Sequence, residues 1–164
     1  MKARSIPSLQ PLFRLLAAAC AAAAFGFCQV ESPAPLTVVS AASYTAPIAP
    51  ASLVSIFGRA LAATEAAAEL DEAGQLPVSL GGVTVDISGT AAPLVYVSPN
   101  QINFVSPAML ALGAAEVVVR SQQTGVVSRG TVEVQLAAPG LFYSVAQSGR
   151  HIGAILNATT FARE

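Results

Sequence analysis

Val83-Thr84-Val85-Asp86-Ile87-Ser88 alternates apolar and polar side chains without a break. Successive side chains of an extended strand point to opposite faces, so Val83, Val85 and Ile87 share one face and Thr84, Asp86 and Ser88 the other. Such a strand lies with one face on a core and one in water. A slip of one residue would turn all three aliphatic side chains into solvent.

The same grammar extends outward along the chain. Ser52 to Phe57, Pro93 to Val97, Gln101 to Val105, Ala115 to Ser121 and Val126 to Leu136 are short runs rich in Val, Ile, Phe and Tyr. Pro, Gly, Ser and Asn separate them at spacings of about 8 to 12 residues, which predicts an all-β sandwich. In the last run Val132, Val134 and Leu136 alternate with Thr131, Glu133 and Gln135. Gly89 predicts a tight reversal after Ile87, and Ser98-Pro99-Asn100-Gln101 a β-turn in which Pro presets φ. These two turns predict Val83 to Val105 as a three-stranded meander. The expected core between the sheets comprises Val85, Ile87, Tyr96, Ile102, Phe104, Val117, Val119, Val132 and Val134.

One stretch departs from the strand pattern. Arg59 to Ala73 combines many alanines with Glu65, Glu69, Asp71 and Glu72, which predicts a short helix or a solvated crossover. On a helix Glu65 and Glu69 would share a face and repel modestly. Gly81-Gly82 precedes a strand and lacks the Lys-Ser/Thr of a phosphate loop, so it reads as a turn or bulge.

Of 164 residues, 54% are hydrophobic and 10% charged, enough apolar surface to offset the ordering entropy of a folded domain. Lys and Arg together number only 8, too few for a nucleic-acid-binding face. Lys2, Arg4 and Arg14 precede an uncharged run from Leu15 to Phe27, which has the length of a signal-peptide core and is short for a membrane span. The small residues Ala22 and Ala24 suit a signal peptidase, and a later cut near Cys28 is also compatible with this leader. A lipid on Cys20 and an uncleaved anchor are the alternatives to secretion. Both cysteines lie within residues 1–28, so a mature chain has no thiol to pair. Beyond residue 28 five arginines face nine acidic residues, leaving a formal charge of −4. The expected organisation is a signal peptide over 1–28, a linker over 29–36, the sandwich over 37–137 and the start of a further β segment over 138–164.

Ala92-Pro93-Leu94-Val95-Tyr96-Val97-Ser98-Pro99-Asn100-Gln101-Ile102-Asn103-Phe104 resembles the hallmark block of the acidobacterial, Solibacter-type uncharacterised C-terminal domain family. Val39 to Tyr44, Ile48 to Pro50, Leu53 to Gly58, Leu76-Pro77 with Leu80 to Val83, Ala138 to Phe142 and Gly153 to Asn157 are similar to the same family. The resemblance covers about residues 37 to 157. Ser52 to Leu136 is also similar, less specifically, to immunoglobulin-like IPT/TIG modules. These resemblances imply an Ig-like sandwich and a secreted setting, and they supply no catalytic residues. Two departures stand out. Ser106 occupies a place more often apolar in the family, and relatives usually continue beyond the GAILN block, which implies a truncated product.

Chemistry-bearing residues are sparse. His151 is the only histidine and reads as exposed or in a turn; catalysis would require an orienting partner and a nucleophile, and neither a G-x-S-x-G motif nor a Cys-His pair occurs in the mature chain. The cluster Glu65, Glu69, Asp71 and Glu72 lacks the D-x-D-x-D-G calcium loop and reads as a solvated acidic face. Asn157-Ala158-Thr159 matches a glycosylation sequon, a short pattern in a bacterial-looking context. The expectation is no catalytic, cofactor-binding or metal-binding residue.

Tyr96, Gln101 and Asn103 form the candidate ligand-binding group. Gln101 and Asn103 point the same way on one strand, their amides supply donors and acceptors, and Tyr96 or Tyr143 adds a stacking ring. The competing reading has Asn100 making a turn while Gln101 and Asn103 satisfy backbone groups at a strand end. Three functions follow: a secreted or cell-envelope interaction module without catalysis, a carbohydrate-binding module using this face, and a carboxylate-dependent hydrolase, for which no positioned acid/base pair can be read. The expected partners are an extracellular protein or a glycan, with no nucleic acid and no membrane span after leader removal.

Overall fold

The computed structural model describes residues 35–154. The predicted leader with Cys20 and Cys28, residues 29–34 of the linker, and the sequon at Asn157 lie outside the described residues. Among the described residues there is no helix, and none therefore long and apolar enough to cross a membrane.

Two antiparallel sheets face one another. One has five strands: β1 (Thr37–Ser40), β2 (Leu53–Phe57), β3 (Ala66–Ala67), β6 (Leu94–Val97) and β7 (Gln101–Val105), in the spatial order β1-β2-β7-β6-β3. The other has four: β4 (Val83–Ile87), β5 (Thr90–Ala91), β8 (Gly113–Ser121) and β9 (Val127–Val134), in the order β5-β4-β8-β9. The chain is an all-β sandwich. A separate hairpin of β10 (Tyr143–Val145) and β11 (His151–Gly153) follows it.

The alternation read in β4 holds residue by residue: Val83, Val85 and Ile87 are fully buried, Thr84 and Asp86 half-buried. Opposite them on β8, Val117 and Val119 pair with Ile87 and Val85. From the other sheet Val54, Ile56, Ile102, Phe104, Leu94 and Val97 enter the same cluster. Each large aliphatic side chain buried in this way contributes about 1.5–3 kcal/mol before ordering entropy is subtracted.

The predicted meander is corrected. Ser88 and Gly89 do make a tight reversal, with φ of 47° and 80°, the pair of left-handed residues that a type I′ hairpin turn needs. That hairpin ends after two residues at β5, and Ala92-Pro93 then carries the chain into the facing sheet, where the Leu94 amide donates to Pro77 and the Val105 amide to Pro93. Proline has no N–H for continued pairing with β4, and Ala92, fully buried, marks the crossing. The second turn is as expected, with Ser98 and Gln101 closing β6 onto β7.

The short helix is also not formed. Ala66 and Ala67 pair with Val97 and Tyr96 as an edge strand, so hydrogen bonding to a sheet edge overrides alanine's local preference. Asp71 turns back on its own backbone, accepting hydrogen bonds from the amides of Ala73 and Gln75 at 2.9 and 2.8 Å. Leu136 lies beyond the end of β9 and is exposed, so the alternation breaks at Val134. Gly81-Gly82 forms the turn between reciprocal Leu80 and Val83 backbone bonds.

The sandwich edges are covered or short. Ile48 bridges Val134 in parallel, its amide donating to Glu133 and its carbonyl accepting from Gln135. A Cβ on Gly130 would stand 2.9 Å from Leu36, so the chain entering β1 packs on β9 where only glycine leaves room. The other outer strands are β1, of four residues, and β3 and β5, of two each. Short edges give an incoming strand little to pair with.

Ser106, buried to 1% exposure, closes the β1–β2 connection. Its hydroxyl donates to the Ala49 carbonyl at 2.6 Å and accepts from the Ser52 amide at 3.0 Å. An apolar side chain there leaves the Ser52 amide without its acceptor and takes one of two hydroxyl donors from the Ala49 carbonyl, which keeps the Ser52 hydroxyl at 2.6 Å. Ser106→Ala is therefore expected to lower unfolding free energy by about 1–3 kcal/mol in urea denaturation; an unchanged midpoint would show those groups to be solvated.

Candidate functional site

On the outward side of the five-stranded sheet, register brings together residues far apart in sequence. Ser55 of β2 pairs with Asn103 of β7, and Asn103 in turn with Tyr96 of β6. Two residues along, Phe57 lies between Thr37 and Gln101. The three predicted residues thus share one face.

Tyr96 reaches that face through an irregularity. The β6–β7 register shifts between Leu94 and Tyr96, so Leu94 and Val97 both turn inward while Tyr96 is only half-buried. A bulge adds one residue to a strand and reverses the sidedness beyond it. This corrects the expectation that Tyr96 belongs to the core. The Glu65 carboxylate beside it, by hydrogen bonding, is the main influence holding the Tyr96 hydroxyl above its ordinary range, with desolvation adding to this and Ser98 opposing it.

The amides do not serve the backbone. Asn103 Oδ1 accepts one hydrogen bond from the Ser55 hydroxyl and another from Gln101 Nε2, each 2.9 Å long. Among the described residues Asn103 Nδ2 and Gln101 Oε1 have no protein partner, which leaves one side-chain donor and one acceptor open on this face. Adjacent sugar hydroxyls, or a peptide group, would meet both.

Three further residues were not singled out in the sequence. Tyr44, 59% exposed, follows β1 with a left-handed φ of 55°, and its ring centroid lies 6.2 Å from that of Phe57. Tyr44 leaves β1 at the Ser40 end while Phe57 closes the opposite end of β2, so the two rings meet above the row of Val39 and Ser55. Val39 and Ser55 are both buried on this outward side. Beside Phe57 an open cavity of about 470 Å³ is lined by Pro35, Thr37, Phe57, Gly58 and Arg59. The signal for these residues lies in register and chain reversal, which no local pattern carries.

The opposite sheet's outer face is of another kind. Arg120 pairs with Asp86, and Arg129 with Glu116 at 2.7 Å, on diagonals that flank Val118. Exposed pairs of this sort contribute about 0–1 kcal/mol each and present a neutralised, solvated surface. Tyr143 stacks on His151 at 4.4 Å in the β10–β11 hairpin, so it lies on a different sheet from Tyr96. His151 is exposed, on a strand and not in a turn. Among the described residues no three of His, Cys, Asp or Glu gather as a metal site.

No family model matches the chain, and no curated protein matches it either.

Proposed function

We propose that the chain is a secreted or cell-envelope interaction module that performs no turnover, built on an immunoglobulin-like, IPT/TIG-like sandwich of the Solibacter-type domain family. The observation that supports a binding role is the outward group of Phe57, Gln101 and Asn103 on the sheet with Tyr44 from the bend after β1, where rings and unpartnered amide atoms lie together. Rings and amides recognise without moving protons, and strands hold them more firmly than loops do. The two-residue edges β3 and β5 offer little to strand addition.

The experiment is retention of the purified mature chain on intact cells and isolated envelopes, compared with the triple variant Tyr96→Ala, Gln101→Ala, Asn103→Ala. Retention by the wild type and its loss in the variant is expected. Failure of the wild type to associate with any surface or supernatant partner overturns the role. Hydrolase activity abolished by Glu65→Gln or Glu69→Gln would overturn the non-catalytic reading.

Carbohydrate recognition is the second reading, favoured by the donor and acceptor left open on Asn103 and Gln101 beside Tyr96. Vicinal hydroxyls offer the complementary pair. Silence on a glycan array would end it.

A further inference from the structure

Two ends of the outward face carry opposite charge. Arg59 lies two residues beyond the end of β2 and is exposed, and among the described residues it enters no ion pair, whereas Arg120 and Arg129 are both engaged. It borders the open cavity beside Phe57. Glu65 precedes β3 at the same end of the sheet and lies against Tyr96. Three strand spacings separate β2 from β3, a span of roughly 14 Å.

Between these charges the lining changes in order. Phe57 with the Tyr44 ring comes first, then Gln101 opposite Phe57, then Asn103 and Tyr96. A guanidinium binds a carboxylate through two parallel N–H donors. Aromatic faces cover the apolar side of a sugar ring, and amides meet its hydroxyls. A carboxylate acceptor such as Glu65 takes hydroxyl donors and repels a second anion.

We propose that this face binds an oligosaccharide with a single carboxylate at one end, a chain terminated by a uronic acid. The acid enters the cavity at Arg59, its ring lies on Phe57 and Tyr44, and the neutral units that follow cross Gln101 and Asn103 toward Glu65. The proposal rests on the carbohydrate reading and adds ligand charge, polarity and direction. It excludes a uniformly acidic polymer, which would set a carboxylate against Glu65.

Titration calorimetry with the mature chain would compare three probes of equal length: a xylo-oligosaccharide capped by glucuronic acid, the neutral xylo-oligosaccharide, and an oligogalacturonate. The capped probe is expected to bind about tenfold or more tightly than the neutral one, the size of one charge-assisted contact. Arg59→Gln should bring the capped probe to the level of the neutral one and leave the neutral affinity unchanged. Tyr44→Ala should weaken both alike, and Glu65→Gln should raise oligogalacturonate affinity. Matching thermal unfolding of each variant separates binding from folding.

Equal wild-type affinity for capped and neutral probes overturns the proposal and leaves the carbohydrate reading standing. So does indifference of the capped probe to Arg59→Gln. Tightest binding of oligogalacturonate, unaffected by Glu65→Gln, also overturns it. Binding of none of the three overturns the proposal and counts against the carbohydrate reading together.

Discussion

Val85→Asp is expected to unfold the protein at neutral pH and to be partly rescued by acid. Val85 is fully buried, with Val119 as its cross-strand neighbour on β8. A carboxyl placed there meets no cation, and burial raises its pKa above the unfolded value of about 3.9. Below that value the side chain is neutral in both states, and the cost is that of a buried polar group, about 1–3 kcal/mol. As pH rises toward the folded pKa, the unfolded chain ionises first and stability falls by about 1.4 kcal/mol per unit. A rise of 3 units would remove roughly 4 kcal/mol more, a large share of the 5–15 kcal/mol that domains of this size possess. Urea midpoints at pH 4 and pH 7 read this directly. Thr84→Asp, one residue away on the solvent side and opposite Arg120, should change the midpoint little at either pH. Equal midpoints for Val85→Asp at both pH values would mean that this face is wet.

Phe104→Ala should cost about 3–5 kcal/mol, with the slope of the urea transition unchanged. Phe104 is the largest fully buried side chain, set on β7 between Val54 of β2 and Leu94 of β6. Truncation removes its transfer free energy and leaves a void that the neighbouring strands, hydrogen-bonded on both sides, close only in part. Phe142→Ala provides the contrast. Its ring is 49% exposed, and its loss should shift the midpoint within about 0.5 kcal/mol. Similar losses for the two would place the core elsewhere than between β4, β8 and the β2-β7-β6 layer.

How much was legible differs between elements for physical reasons. The alternations of β4, of Ile102 and Phe104 on β7, and of Val132 and Val134 on β9 show in sequence because burial on one face selects side chains at period two. Turns at Ser88-Gly89 and at Ser98 to Gln101 show because their φ values restrict residue type. Sheet membership does not. The Gly89 turn is equally compatible with a third strand beside β4, and the crossing at Ala92-Pro93 follows from which face can be covered. The Arg59 to Ala73 segment reads by composition as a short helix or a solvated crossover, and within it Ala66–Ala67 forms an edge strand where β6 offers free backbone groups.

The candidate site divides along the same line. Gln101 and Asn103 belong together by spacing alone, whereas Tyr96 joins them only because a bulge reverses its side. Tyr44, Phe57 and Arg59 join through the β1-β2-β7 register and a chain reversal.

The identity of β2, β4, β6, β7, β8 and β9, their one-sided burial and the local turns were determined by the sequence itself, since each is set by side-chain period and backbone dihedral preference within a few residues. The partition of strands between two sheets, the outward turn of Tyr96 and the meeting of Arg59, Phe57 and Gln101 were decided by the tertiary structure. Those depend on pairing between segments tens of residues apart, chosen by which arrangement buries the most apolar surface while leaving no buried backbone group unpaired.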